Sequence, residues 1–345
     1  MKFSVGYQYP DEESGERFPE ILQDYADSVA ELYFAPGNEP GARSPAADAS
    51  GLDESEAWQI LEEDLIETQK MGIRLNLLFN ANCLGAGCIG KELQNRVLKY
   101  TGKILELCGL DTVTTASWFI AGVLKKHFPQ LEIRASVNMK LGTVEALDYA
   151  SERFDGFCVQ RDINYHLDTL HKISDWAKNN GKKICLLANS GCLRNCAVQI
   201  FHDNLVAHLS ELRREECCMD QDPVFCRRFY ANDSHKMEYL AHSTLIRPED
   251  VHHYETLVPM LKLATRTHNN PRLVLEAYTS GKFTGNFFDL TEPGHGIFFR
   301  GKVLDNAKIA PQYWEVKSRC RENCSECGFC KKVMKNAMLE CTELA

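Results

Sequence analysis

Eight short apolar runs, separated by stretches of helical length, recur along this chain, and that alternation restricts its fold more than any other feature. The runs are Phe3 to Gln8, Val29 to Phe34, Arg74 to Phe79, Thr112 to Ala116, Glu132 to Val137, Gly156 to Gln160, Lys183 to Ala188, and Met260 to Ala264. Between most of them lie amphipathic segments. In Ala57 to Met71, for example, Trp58, Ile60, Leu61, Leu65, Ile66 and Met71 recur at steps of three and four among Glu and Asp. Arg96 to Cys108 and Leu167 to Lys178 carry the same pattern. Eight β–α units in succession predict an α/β fold, a (β/α)8 TIM-like barrel, with an open doubly wound sheet as the competing arrangement.

Two places break the rhythm. Gly37 to Asp53 is rich in Gly, Pro, Ala and Ser and reads as a long loop. The stretch from about 190 to 257 is too long for one connection and reads as an insertion after the seventh strand, with an extra strand at Tyr239 to Ile246. Loops after barrel strands build active sites. Beyond residue 285 short strand-like pieces such as Gly296 to Val303 lead into a cysteine cluster. The expected division is therefore a barrel over 1–285 and a small C-terminal iron–sulfur module over 286–345.

The chain's 345 residues carry a net charge of −9, with no run of five Lys or Arg, so nothing favours DNA and an RNA substrate would need a local basic patch. No 18-residue apolar stretch spans a membrane, and the N-terminus lacks a secretory core, so a cytoplasmic protein is expected. In a reducing compartment the 15 cysteines point to metal rather than disulfides, because they cluster.

Cys320, Cys324, Cys327 and Cys330 share one tight run, which suits the corners of a [4Fe–4S] cubane. Zinc is the rival, although zinc sites more often pair two separated knuckles. The first three cysteines also match CxxxCxxC of enzymes that cleave S-adenosylmethionine, but Cys330 would close the open iron that such chemistry needs. A second group holds Cys192 and Cys196 after the seventh strand, with Cys217 or Cys218, and Cys226, on the insertion. Cys185 lies within the strand and reads equally as a buried hydrophobe. One or two [4Fe–4S] clusters are the expected cofactors.

The segment ICLLANSGCLRNC resembles the seventh-strand cysteine segment of the peptidase U32 family. PMLKLATR, Pro259 to Arg266, is similar to that family's strand ending in Lys-Ile-Glu-Gly-Arg; Lys262 and Arg266 are kept, while Ala264 and Thr265 replace the acidic and glycine positions. The strand end Arg134 to Asn138 resembles the family's Ser-containing fifth strand. The resemblance implies a barrel holding a [4Fe–4S] cluster through four cysteines. It also implies one of two activities: oxygen-independent hydroxylation of an RNA or small organic substrate such as a quinone precursor, or the peptidase activity in the family's name. A third reading is an electron-transfer subunit with a redox partner or paired subunit. The terminal four-cysteine run lies outside the hydroxylase pattern and suggests a second cluster.

Polar residues at strand ends complete the candidates: Asn80, Asn82, Ser117, Ser136, Asn138, Gln160, Arg161, Asn189, His202, Asp203, Lys262 and Arg266. His202, Asp203 and Asn189 are the expected catalytic groups. Arg161, Asn138, Lys262 and Arg266 are the expected substrate contacts, since guanidinium groups grip carboxylates bidentately. Gly85-Ala-Gly87-Cys-Ile-Gly90-Lys91 looks like a phosphate loop, but Glu92 stands where Ser or Thr would hold Mg²⁺, so a mouth loop with a helix start after Gly90 is the better reading. No HExxH or GxSxG is present.

Overall fold

A computed structural model describes residues 1–10, 15–35, 52–208 and 224–340. Eight parallel strands close into a barrel in sequence order, which decides against the open sheet. They are β1 (Lys2–Gly6), β2 (Val29–Phe34), β3 (Arg74–Phe79), β4 (Thr112–Thr115), β5 (Glu132–Ala135), β6 (Gly156–Val159), β7 (Lys183–Leu187) and β8 (Met260–Leu263). The helices on the outside are α1 (Phe18–Gln23), α2 (Glu54–Lys70), α3 (Lys91–Cys108), α4 (Trp118–His127), α5 (Val144–Ala150), α6 (Leu167–Asn179) and α7 (Gln199–Ala207). β2 and β3 match the expected bounds and the other strand ends differ by at most two residues, because polar residues such as Ser136 and Gln160 begin tight turns.

Several helices start where the sequence supplies a cap. Asp53 accepts from the Ser55 and Glu56 N–H groups, and Glu56 reaches back to the Asp53 N–H, closing a capping box on α2. α3 begins after Gly90, as expected, and its buried face is Leu93, Val97, Thr101, Ile104 and Cys108. Most of the Gly37 to Asp53 loop lies outside the described residues.

The insertion is helical. Short helices α8 (Phe225–Ala231), α9 (Asp233–Lys236) and α10 (Tyr239–His242) precede β8. The expected strand at Tyr239 to Ile246 is therefore a single helical turn followed by extended chain, with only a bridge between Leu193 and Ser243. Its apolar residues are buried on several sides at once, and periodicity over so short a run does not separate the two forms. After β8 come α11 (Pro271–Ser280), β9 (Lys302–Leu304), α12 (Tyr313–Ser318), α13 (Cys324–Cys327), α14 (Phe329–Ala337) and β10 (Met338–Glu340), which pairs antiparallel with β9. Gly296 to Val303, expected as strand-like, is a 3-10 turn over Gly296–Phe299 and then the start of β9.

The segment after residue 285 shares the barrel's core. Phe287, Phe288, Leu290, Leu304, Tyr313 and Met334 are buried in one continuous cluster with residues of the barrel. Among the described residues no helix is long and apolar enough to cross a membrane.

The barrel interior carries a polar ring. Ser4 donates to Glu31 (2.7 Å), Asn76 to Glu31 (2.9 Å), Thr114 to Asn76 (2.9 Å) and Arg134 to Glu31 (2.7 Å). These residues sit on five consecutive strands, and only the inside of a closed barrel lets them meet. Arg134 lies in reach of Cys185 on β7, and Cys158 on β6 in reach of Lys262 on β8, which carries the ring around.

Candidate functional site at the barrel mouth

The turns after β6 and β7 are tied together at the C-terminal face. Asp162 accepts from the Asn195 N–H (2.8 Å), and Gln160 donates to Asp162 (2.6 Å). Asn195 holds the left-handed backbone (φ 53°) that this bend requires, one that Asn tolerates better than most residues. Gly191 is needed for a different reason. A Cβ there would stand 2.2 Å from the Pro293 carbonyl oxygen, and the Gly191 N–H donates to the Glu292 carbonyl. The Asn-Ser-Gly-Cys segment is thus clamped beneath the 290–293 loop.

Arg161 opens the turn after β6. It is 4% exposed, yet its Nε and Nη2 have no hydrogen-bond partner among the described residues. A buried guanidinium without an acceptor is costly and marks a place for an anion. Asp203, on α7, is also buried, and its Oδ2 has no partner among the described residues. His202 beside it is half-buried.

Other expected site residues have structural work. Asn189 is fully buried; its amide donates to the Ala264 and Leu290 carbonyls and accepts from the Ala264 N–H. That uses up its amide, so the expected catalytic Asn189 is instead a tie between β7, β8 and the 290 loop. Asn138 donates to the Asn80 carbonyl (3.0 Å), joining two mouth loops. Lys262 and Arg266 come together on one ring, at 3.7 and 5.6 Å from the centre of Tyr33. Lys262 points into the barrel, where burial lowers its ammonium below the usual lysine range. Arg161 lies in the turn after β6, two strands from β8, which carries Lys262.

Cys192, Cys196 and Cys226 gather near this mouth. Burial, and then the neighbouring Cys192 and Cys196, push the Cys226 thiol up to about 11. Tyr230 lies beside Cys226 with a buried hydroxyl that has no hydrogen-bond partner among the described residues, and Tyr239 lies next to Cys192 and Cys226. Cys217 and Cys218 fall outside the described residues.

Cys320, Cys324, Cys327 and Cys330 form a second gathering around Lys317. Burial raises the Cys330 thiol; Lys317 opposes this, while Cys320, Cys324 and Cys327 add to it. Lys317 is buried, donates to the Leu240 and Ala241 carbonyls, and is lowered to about 8 by desolvation. The Glu322 N–H donates to Cys320 Sγ (3.3 Å). Soft thiolate donors, an amide directed at sulfur and a nearby ammonium suit an anionic iron–sulfur group. Among the described residues, however, no three Cys, His, Asp or Glu side chains stand at the spacing of one metal ion.

The residues that sequence reasoning missed are Glu31, Tyr230, Tyr239, Lys317 and Glu322. Only Glu31 left a signal, a carboxylate in the middle of the apolar run VAELYF. A cavity of about 420 Å³ lined by His252, His253, Trp314 and Glu315 lies away from the mouth.

No family model matches the chain. It is 26% identical over 294 residues to a protein named as an uncharacterized protease, MJ1657, of Methanocaldococcus jannaschii, covering 81% of this chain and 82% of that one. The solved structure of the U32 peptidase Mk0906 superposes with a TM-score of 0.54 at 12% identity, over 77% of this chain and 92% of that one. At that identity the second likeness is one of fold. Sequence and fold together bear out the resemblance to the U32 peptidase family.

Proposed function

We propose that this chain is a U32-type enzyme whose barrel mouth takes an anionic, carboxylate-bearing substrate, with peptide hydrolysis as its reaction. The observation that carries this reading is the buried Arg161 guanidinium without an acceptor. A peptide carboxylate would supply two oxygens in the geometry that guanidinium prefers. Asp203 offers a buried carboxylate oxygen with no partner among the described residues, and in this reading it takes a proton from an attacking water. The names of the two similar proteins agree with this reaction. The test is cleavage of a peptide library by the purified protein under anaerobic iron chelation. Arg161→Ala is expected to raise KM about tenfold or more with a smaller change in kcat, as loss of a charge-assisted pair would. Asp203→Asn is expected to abolish cleavage. A broad library left intact by the wild-type protein removes the reading.

A second reading is redox chemistry, with oxygen-independent hydroxylation as the specific form. The orphan Tyr230 hydroxyl beside Cys226 favours it, because a buried donor of that kind suits a thiolate or sulfide acceptor. Cys192, Cys196 and Cys226 would hold one cluster with Cys217 or Cys218, and Cys320, Cys324, Cys327 and Cys330 a second. The group would supply one-electron transfer at the mouth. Anaerobic preparation should then give about four irons per chain for one cubane, or about eight for two. Cys192→Ala should bleach the near-visible absorbance. Colourless, iron-free protein from anaerobic cells rejects this reading.

A further inference from the structure

Inside the barrel, below the mouth, Cys158 and Cys185 face each other. They are Cα partners in the ladder between β6 and β7, and they are 2% and 3% exposed. With Met260, the ladder partner of Cys185 on β8, they form a small cluster separate from the main core. Adjacent strands run about 4.8 Å apart. That lies within the Cα separation of about 4.4–6.8 Å that a disulfide spans. The two thiols share one buried cluster and both respond to Arg134 and Glu31 of the interior ring, so both side chains are on the inner face.

Their surroundings distinguish one sulfur from the other. Lys262 from β8 and Arg134 from β5 face the pair as cations, and Glu31 from β2 faces it as an anion. Hydrogen bonding from Cys185, with help from Lys262 and Arg134, lowers the Cys158 thiol against its burial, and Cys185 is raised in turn. A thiol held lower beside a partner held higher is the asymmetry of a dithiol that exchanges electrons.

We propose that Cys158 and Cys185 form a redox-active dithiol that hydrogen peroxide converts to an inter-strand disulfide. The Cys158 thiolate attacks one peroxide oxygen, the O–O bond breaks, and hydroxide leaves to become water after gaining a proton. The resulting sulfenic acid is attacked by Cys185 sulfur, which loses its proton; the S–O bond breaks and a second water departs. Two electrons pass from the sulfur pair to the peroxide. The dithiol is independent of the mouth chemistry, since neither residue belongs to the Cys192 or Cys320 groups.

The test is peptide mapping of the whole protein after peroxide treatment and alkylation under denaturing conditions. The expected result is a Cys158–Cys185 linked peptide, with both residues lost from the alkylated pool. In Cys185→Ser, Cys158 should be labelled by dimedone as a sulfenic acid, and in Cys158→Ser no label should appear on Cys185. Recovery of both residues as free alkylated thiols, once peroxide has oxidised the exposed Cys324 and Cys327, overturns the proposal. So does a dimedone adduct on Cys185 alone. The wild-type map decides the question even if a variant does not fold.

Discussion

Glu31 shows how one residue organises the barrel interior. Desolvation alone would raise its carboxyl. Arg134, Ser4 and Asn76 together outweigh burial and hold it at about 2, against an ordinary 4.5. A carboxyl depressed in the folded state adds stability above its unfolded value, and that stability is lost as pH falls from about 4.5 through about 2. The linked contribution is about 3 kcal/mol. Acid denaturation followed by circular dichroism should therefore show a flatter limb in this range for Glu31→Gln than for the wild-type chain. Arg134→Met should cost about 3–5 kcal/mol at neutral pH, because it leaves the Glu31 charge buried and unpaired. Equal stability of the two variants at pH 7 would contradict this account.

At the scale of elements, the C-terminal helices are tied to the insertion by Lys317, beside the Tyr313 hydroxyl that donates to the Leu240 carbonyl (3.2 Å). The Lys317 ammonium satisfies the Leu240 and Ala241 carbonyls of α10 (2.6 and 2.9 Å), while Val333, Met334 and Ala337 of α14 are buried in the shared core. Lys317→Met keeps the aliphatic stem and removes the donors. It should cost about 1–3 kcal/mol, the penalty of a buried Ala241 carbonyl left without its donor, while Leu240 keeps the Tyr313 hydroxyl. Hydrogen exchange should localise the loss to α10, α12 and α14 and leave β1 to β8 unchanged. Faster exchange throughout the barrel would mean that Lys317 supports more than this junction.

Over the whole molecule, Glu322 of the terminal cysteine run meets Arg194 of the seventh-strand loop (2.7 Å) and His166 after β6 (2.8 Å). The two cysteine groups are thereby linked across the barrel mouth. Glu322 is partly exposed, so an Arg194/Glu322 double-mutant cycle should return less than about 1 kcal/mol and shrink in high salt. The barrel itself was legible in the sequence. A buried parallel strand must be a short apolar run and an outer helix must be amphipathic, so local pattern alone located all eight strands. Cys192 and Cys196 after β7 were legible for the same reason, as their position follows from strand order. Pattern could not settle Tyr239 to His242, where burial on several sides erases any period. Nor could it separate Asn189, whose amide is spent on backbone, from Arg161, whose guanidinium is not. Which polar groups find partners depends on residues distant in the chain, such as Ala264 and Leu290, and only closure of the barrel brings those within hydrogen-bond reach.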